Sequence, residues 1–177
     1  MTFIKNAMMA GLGAALVVSL SGTAWAKKCK DGETSEIASF TVEKGKTLPA
    51  AINKSLTGKA GDPKNGLATM VHRRQGNCIA CHKVTKIRDL AKPGDLKAFK
   101  KYGFHGEVGP SLDGLASRYS VGEIRMLVVD PKTIFPETLM PSFHKLGATM
   151  VHKDCDGKVV MTAQKVEDVV SYLSTLK

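Results

Sequence analysis

The sequence predicts an all-α fold, and three observations predict it. Apolar residues recur at three- and four-residue spacing in Leu67, Met70 and Val71, in Ile124, Leu127 and Val128, and in Val166, Val169, Val170 and Leu173. That is the period of helices with one buried face. Helix punctuation frames two of these stretches: Asp62-Pro63 and Ser120 at their starts, Asp130-Pro131 at an end. Finally, the paired thiols Cys78 and Cys81 lie three positions apart, which puts them on one side of a helical turn.

In chain order, residues 1–26 read as a secretory signal. Lys5 gives a positive start, Ala7 to Leu20 an apolar run, and Ala24-Trp25-Ala26 a small-x-small cleavage site. The run is too short for a comfortable membrane span, so the mature form is expected to have no membrane span and to work in the periplasm. The remaining 151 residues suit one domain with a modest core. The +10 charge of the full chain falls to about +9 once Lys5 is removed. An exported protein rarely meets nucleic acid, so so basic a balance points instead to anionic molecules or an acidic protein surface.

Residues 27–60 form a polar, turn-rich N-terminal extension ahead of a domain over 61–177. In it Leu48, Ile52 and Leu56 recur at helical spacing and predict a short helix. Whether this arm covers the core or serves a partner is open at this level. Asp62 and Pro63 then start a helix running towards Gly76. Gly66 inside it costs about 1 kcal/mol relative to Ala, a cost that makes sense if a second helix approaches closely there. The amphipathic C-terminal segment with Tyr172 is the candidate neighbour.

Cys78-Ile79-Ala80-Cys81-His82 is a C-x-x-C-H sequence, the attachment signature of a c-type haem. Both thiols can add to the vinyl groups on one porphyrin edge, and His82 then lies under the iron as proximal ligand. A thioredoxin-like couple expects a βαβ setting, which does not follow here. A structural zinc site needs four ligands, and no second close pair of Cys or His is present. With Cys78 and Cys81 consumed, Cys29 and Cys155 remain. In an oxidising compartment they are expected to form a disulfide, worth about 4–5 kcal/mol in the chain-entropy model.

Lys83 to Gly106 is rich in Lys and broken by Pro93-Gly94, with Asp95 capping a short helix over 96–102. Gly109-Pro110 follows, 28 residues after His82 in the case of Pro110. Such a turn, placed there, can pack on the histidine and orient its ring through a backbone carbonyl. Ser120 caps a helix over 121–129 with Ile124, Leu127 and Val128 inward. Lys132 to Phe143 is irregular and stiffened by Pro136 and Pro141. It carries Met140, 58 residues after His82, and a rigid non-helical stretch is what holds a thioether end-on to iron. Met/His ligation raises the reduction potential, as an electron carrier needs. Met70 and Met126 sit at core spacing, Met150 and Met161 near the expected disulfide. His105, His144 and His152 read as surface histidines, with His144 the next ligand candidate.

The order of capped helix, CIACH, GPSLDGLASRYS, DPKTIFPETLMPSF and VEDVVSYLSTLK resembles the mono-haem X subunits of the sulfur-oxidation (Sox) complex SoxAX. The resemblance covers roughly residues 60–177. It implies a class I cytochrome c fold with helices packed around one covalently bound haem c, in which glycine on one helix faces an aromatic on the terminal helix. Carried over, Cys78 and Cys81 hold the haem, with His82 and Met140 as the iron ligands. It also implies a heterodimer with a SoxA-type haem subunit that joins thiosulfate oxidatively to a cysteine on a carrier protein, and a small cytochrome c as electron acceptor. No residue here looks like a nucleophile or base, so the chain is expected to relay electrons without catalysing alone. A free-standing periplasmic carrier shares every haem feature, and a haem enzyme or gas sensor would need an open sixth position.

Overall fold

The computed structural model describes residues 36–147 and 157–177. The signal segment, Cys29, Cys155, Met150 and His152 lie outside the described residues, and with them the expected disulfide. Among the described residues six helices carry the fold. They are α1 (Pro63–Val71), α2 (Thr85–Arg88), α3 (Leu96–Ala98, continued by a π turn Phe99–Gly103), α4 (Leu115–Arg118), α5 (Val121–Val129) and α6 (Ala163–Leu173). Short 3-10 turns at Cys78–Ala80 and Pro131–Thr133 complete the regular structure. No β-strand occurs among the described residues; Glu43 and Ala51 form an isolated antiparallel bridge. The architecture is all-α, as the sequence leads one to expect.

α1 starts as its sequence dictates: the Asp62 carboxylate accepts from Lys64 N–H at 2.8 Å, and Pro63 occupies the first helical position. It packs on α6 through Gly66. A Cβ there would fall 2.0 Å from Asp168 O and 3.0 Å from Tyr172 Cβ, so only glycine permits the approach, and the faced aromatic is Tyr172. Gly61 repeats the device one turn earlier, against Glu167 O. The α1 helix ends at Val71, short of Gly76. The Gly76 and Asn77 N–H groups fold back onto the Thr69 and His72 carbonyls at 3.1 Å each, and Asn77 takes the left-handed φ of 46° that turns the chain into the Cys78 segment.

The arm contains no helix over 48–56, contrary to its apolar spacing. Its backbone donors are taken by tertiary partners instead of by the preceding turn. Leu48 N–H goes to Glu123 Oε1 at 2.6 Å, Ile52 N–H to Gly122 O at 3.0 Å, and Leu56 N–H to Glu167 Oε1 at 2.8 Å. Ala50, Ala51 and Ile52 are buried, so this part of the arm covers the core.

Helix α5 is central, and its Ser120–Glu123 capping box is complete. Glu123 is fully buried and also accepts from Thr47 N–H, besides Leu48. These donors hold its carboxyl down near 2, against its burial. Two residues on, Arg125 makes a buried two-point pair with Glu167 of α6, at 2.8 and 3.0 Å, and donates to Ile52 O at 2.6 Å. The two carboxylates therefore pin the arm to α5 and α6.

Candidate cofactor site

Between the Cys78–His82 segment, α5, α6 and the 131–143 loop lies a mainly apolar cavity of about 600 Å³. That volume falls within the roughly 300–1,000 Å³ of small-molecule and cofactor pockets. Cys78, Cys81, His82 and Met140 all line it, so residues up to 62 positions apart in sequence meet at one void.

One wall is built from the C-x-x-C-H segment. The 3-10 turn hydrogen-bonds Cys81 N–H and His82 N–H to Cys78 O at 3.2 and 3.0 Å, which gathers both thiols and the imidazole on one turn. Cys78 and Cys81 are not joined to each other, and burial pushes the Cys78 thiol up to about 12. A thiol so hard to ionise is a poor thiol–disulfide exchanger. Two glycines let neighbouring backbone close on this turn. Gly106 donates to Ile79 O at 2.9 Å, and a Cβ there would lie 2.0 Å from Ala80 O. Gly109 donates to Cys81 O at 2.9 Å, and a Cβ there would lie 2.3 Å from His82 Cε1. The next residue supplies the orienting contact: His82 Nδ1–H donates to Pro110 O at 2.7 Å. That bond fixes the tautomer and leaves Nε2 as the basic nitrogen.

The loop after α5 supplies a further part of the lining. It leaves through Asp130, whose buried carboxylate accepts from Ser142 Oγ at 2.6 Å, Thr133 Oγ1 at 3.0 Å and Lys145 Nζ at 2.7 Å. These partners, Lys145 first, hold the Asp130 carboxyl below its usual range despite burial. The returning strand of the loop continues the α5 ladder, with Phe143 and His144 N–H on Val128 and Val129 O at 3.2 Å each. Within the loop, Lys132 Nζ donates to Thr138 O at 2.9 Å and Met140 N–H to Thr138 Oγ1 at 3.2 Å.

Among the described residues, the competing sulfurs and imidazoles other than Met161 lie away from this cavity. Met70 and Met126 are fully buried packing residues. Met161 also lines the cavity, but on the Cys78 side, where its Cε would sit 3.2 Å from a Cβ on Gly76. Neither His105 nor His144 is the surface residue its sequence context suggests. His105 is buried, accepting Val84 N–H at Nδ1 (2.9 Å) and donating from Nε2 to Tyr102 O (2.8 Å). His144 is fully buried, donating from Nδ1 to Met161 O (2.7 Å) and accepting Ala38 N–H at Nε2 (3.0 Å). Backbone groups distant in sequence, Val84 for His105 and Ala38 and Met161 for His144, meet these rings inside the fold. Burial lowers the basicity of each, and with both nitrogens engaged neither can ligate a metal. Among the described residues no three or more His, Cys, Asp or Glu side chains gather as a metal-ion site.

The donor set therefore fits a haem. Two thiols, an imidazole with a free nitrogen and a thioether line one cavity together with apolar side chains such as Ile124, Val128, Phe143 and Leu173. Sequence reasoning did not find Asp130 or Glu123 as anchors. The Ser-x-x-Glu spacing of Ser120 and Glu123 signals the capping box, and Asp130 was legible only as a helix stop.

Comparison with known proteins places the chain. The cytochrome c family model matches residues 42–177, a span that takes in the packed part of the arm. The crystal structure of SoxXA from P. pantotrophus contains a similar chain, with 30% identity over 78% of this chain and 94% of that one, and a TM-score of 0.58. No curated protein matches the chain. No helix among the described residues is long and apolar enough to cross a membrane.

Proposed function

Since the chain belongs to the cytochrome c family and is of the SoxX type within it, we propose that it is the mono-haem electron-transfer subunit of a SoxAX-like complex in the periplasm. Family membership brings a covalently bound haem c. The reading of its site rests on one observation above the rest: Cys78, Cys81 and His82 face the same cavity as Met140, with the His82 ring oriented by Pro110 O.

Each residue then has a task. Cys78 and Cys81 would carry the thioether links, His82 Nε2 and the Met140 thioether would hold the iron, and the haem would be single. The bound group supplies one-electron redox chemistry. The protein's part is to keep both iron faces closed, exclude water with the apolar lining, and raise the potential through a thioether ligand. Val108 and Leu139 line the cavity yet remain 70% and 85% exposed, so its rim is where a redox partner reaches closest.

The partner is a SoxA-type haem subunit. The complex joins thiosulfate to a carrier-protein cysteine (an L-cysteine S-thiosulfotransferase), and its two electrons leave through this chain, one at a time, to a small cytochrome c. The chain itself supplies no nucleophile or base. Lys97, Lys100 and Lys101, exposed on α3 and its π turn, steer an acidic partner. Their reversal to Glu is expected to slow association severalfold at low salt and little at high salt. An equal effect at both salts rejects steering.

A pull-down from periplasm with haem staining tests the whole reading. A larger haem-staining subunit is expected to co-purify, and the chain itself to exceed its polypeptide mass by one haem. Recovery of the haem-loaded chain alone would favour a free-standing carrier, and a bare polypeptide mass would reject the reading.

A further inference from the structure

Resting on the reading of Met140 as the distal ligand, we propose that Asp130 is a positioning residue that clamps both ends of the Met140 loop and so sets how readily that thioether is displaced. Asp130 lies ten residues from Met140 and does not line the cavity. It acts through the loop's two stems. Thr133 Oγ1 is on the outgoing stem, Ser142 Oγ and Lys145 Nζ on the returning one, and one carboxylate binds all three at 2.6–3.0 Å. Ser142 and Asp130 are both buried, so solvent does not compete for their bond. The segment between the stems is irregular, with its tip at Phe135–Leu139 largely exposed. The tip is restrained by its prolines, by Phe135 N–H on Pro131 O at 2.8 Å and Thr138 N–H on Phe135 O at 3.0 Å, and by the Lys132–Thr138–Met140 contacts, all of them internal to the loop. Loop opening is the local unfolding event that frees the sixth position, and it must break the stem contacts first.

An added ligand reads this directly. Imidazole binding to the ferric, haem-loaded protein must displace Met140, so its apparent affinity is the intrinsic affinity scaled by the population of the opened loop. Asp130→Asn keeps the shape but removes the charge, and is expected to raise imidazole affinity roughly tenfold, the scale of a lost charge-assisted hydrogen bond. Ser142→Ala is expected to raise it about threefold, and the double variant by less than the product, because the two share one bond. Glu123→Gln is the control. It removes an equally buried carboxylate from the other end of α5, and is expected to lower the unfolding midpoint while leaving imidazole affinity unchanged.

Imidazole affinity unmoved in Asp130→Asn, or raised as much in Glu123→Gln, overturns the clamp. Should Asp130→Asn fail to fold, Ser142→Ala and Lys145→Gln carry the same test with smaller shifts. Met140→Ala separates the two layers of the argument. If it leaves imidazole affinity at the wild-type value, the ligand reading falls and the clamp with it. If it raises affinity while the stem variants do not, the clamp alone falls.

Discussion

The two ends of helix α5 carry buried carboxylates with similar surroundings and different consequences. Glu123 at the N-terminal end gathers backbone donors from Thr47, Leu48 and Ser120. Asp130 at the C-terminal end gathers side-chain donors from Thr133, Ser142 and Lys145. The first fastens the arm to the domain, the second fastens the loop that carries Met140 to the end of α5. Burial and hydrogen-bond count alone do not tell a stabilising carboxylate from one that tunes a site. What matters is which segment hangs on it.

The largest effect should come from the arm side. Arg125→Met leaves Glu167 buried without its partner, and breaking such a pair costs roughly 3–5 kcal/mol. A urea unfolding midpoint at neutral pH is expected to fall accordingly, while the visible spectrum of the folded protein stays unchanged. A spectral change in the folded variant would mean that arm and site are coupled and the division between the two ends is false.

Glu123→Gln sharpens the same contrast through pH. The folded Glu123 carboxyl sits near 2 against an ordinary value of 4.5. Its depressed value means that the stability it contributes is complete above about 4.5 and is lost as pH falls towards 2. The wild-type protein is therefore expected to lose stability across that window, and Glu123→Gln to be less stable at neutral pH (by about 2 kcal/mol) with a flatter acid limb. Parallel acid limbs would show that other carboxylates govern it. Asp130 contributes in the same direction, below its ordinary value of 3.8.

The smallest effect belongs to Lys145. Its side chain is 57% exposed, so its ion pair with Asp130 contributes at most about 1 kcal/mol. Lys145→Gln should barely move the unfolding midpoint at moderate salt. A loss as large as that of Ser142→Ala would place the strength of the Asp130 clamp at the surface rather than at the buried hydroxyl.

This division also marks what the sequence could reveal. The haem motif, the Ser120 cap, the Gly66–Tyr172 contact and the Gly109-Pro110 turn were legible because each is carried by a few residues whose types have a local meaning. Asp62 and Asp95 cap the helices their positions imply. The arm misled because Leu48, Ile52 and Leu56 have helical spacing, yet their N–H groups find Glu123, Gly122 and Glu167 across the fold. His144 looked like a surface residue because its partners, Ala38 and Met161, are 106 and 17 positions away. Asp130 reads as a terminator from its neighbour Pro131. Its second role needs the return of Ser142, which only the folded loop supplies.

The account stands or falls on the distal ligand. The measurement that addresses it most directly is the ferric absorption spectrum and reduction midpoint of Met140→Ala beside the wild type. The account predicts that the charge-transfer band of thioether-ligated ferric haem is present in the wild type and lost in the variant, with the midpoint falling. Identical spectra and midpoints would contradict it, and would show that the iron is held through some other group.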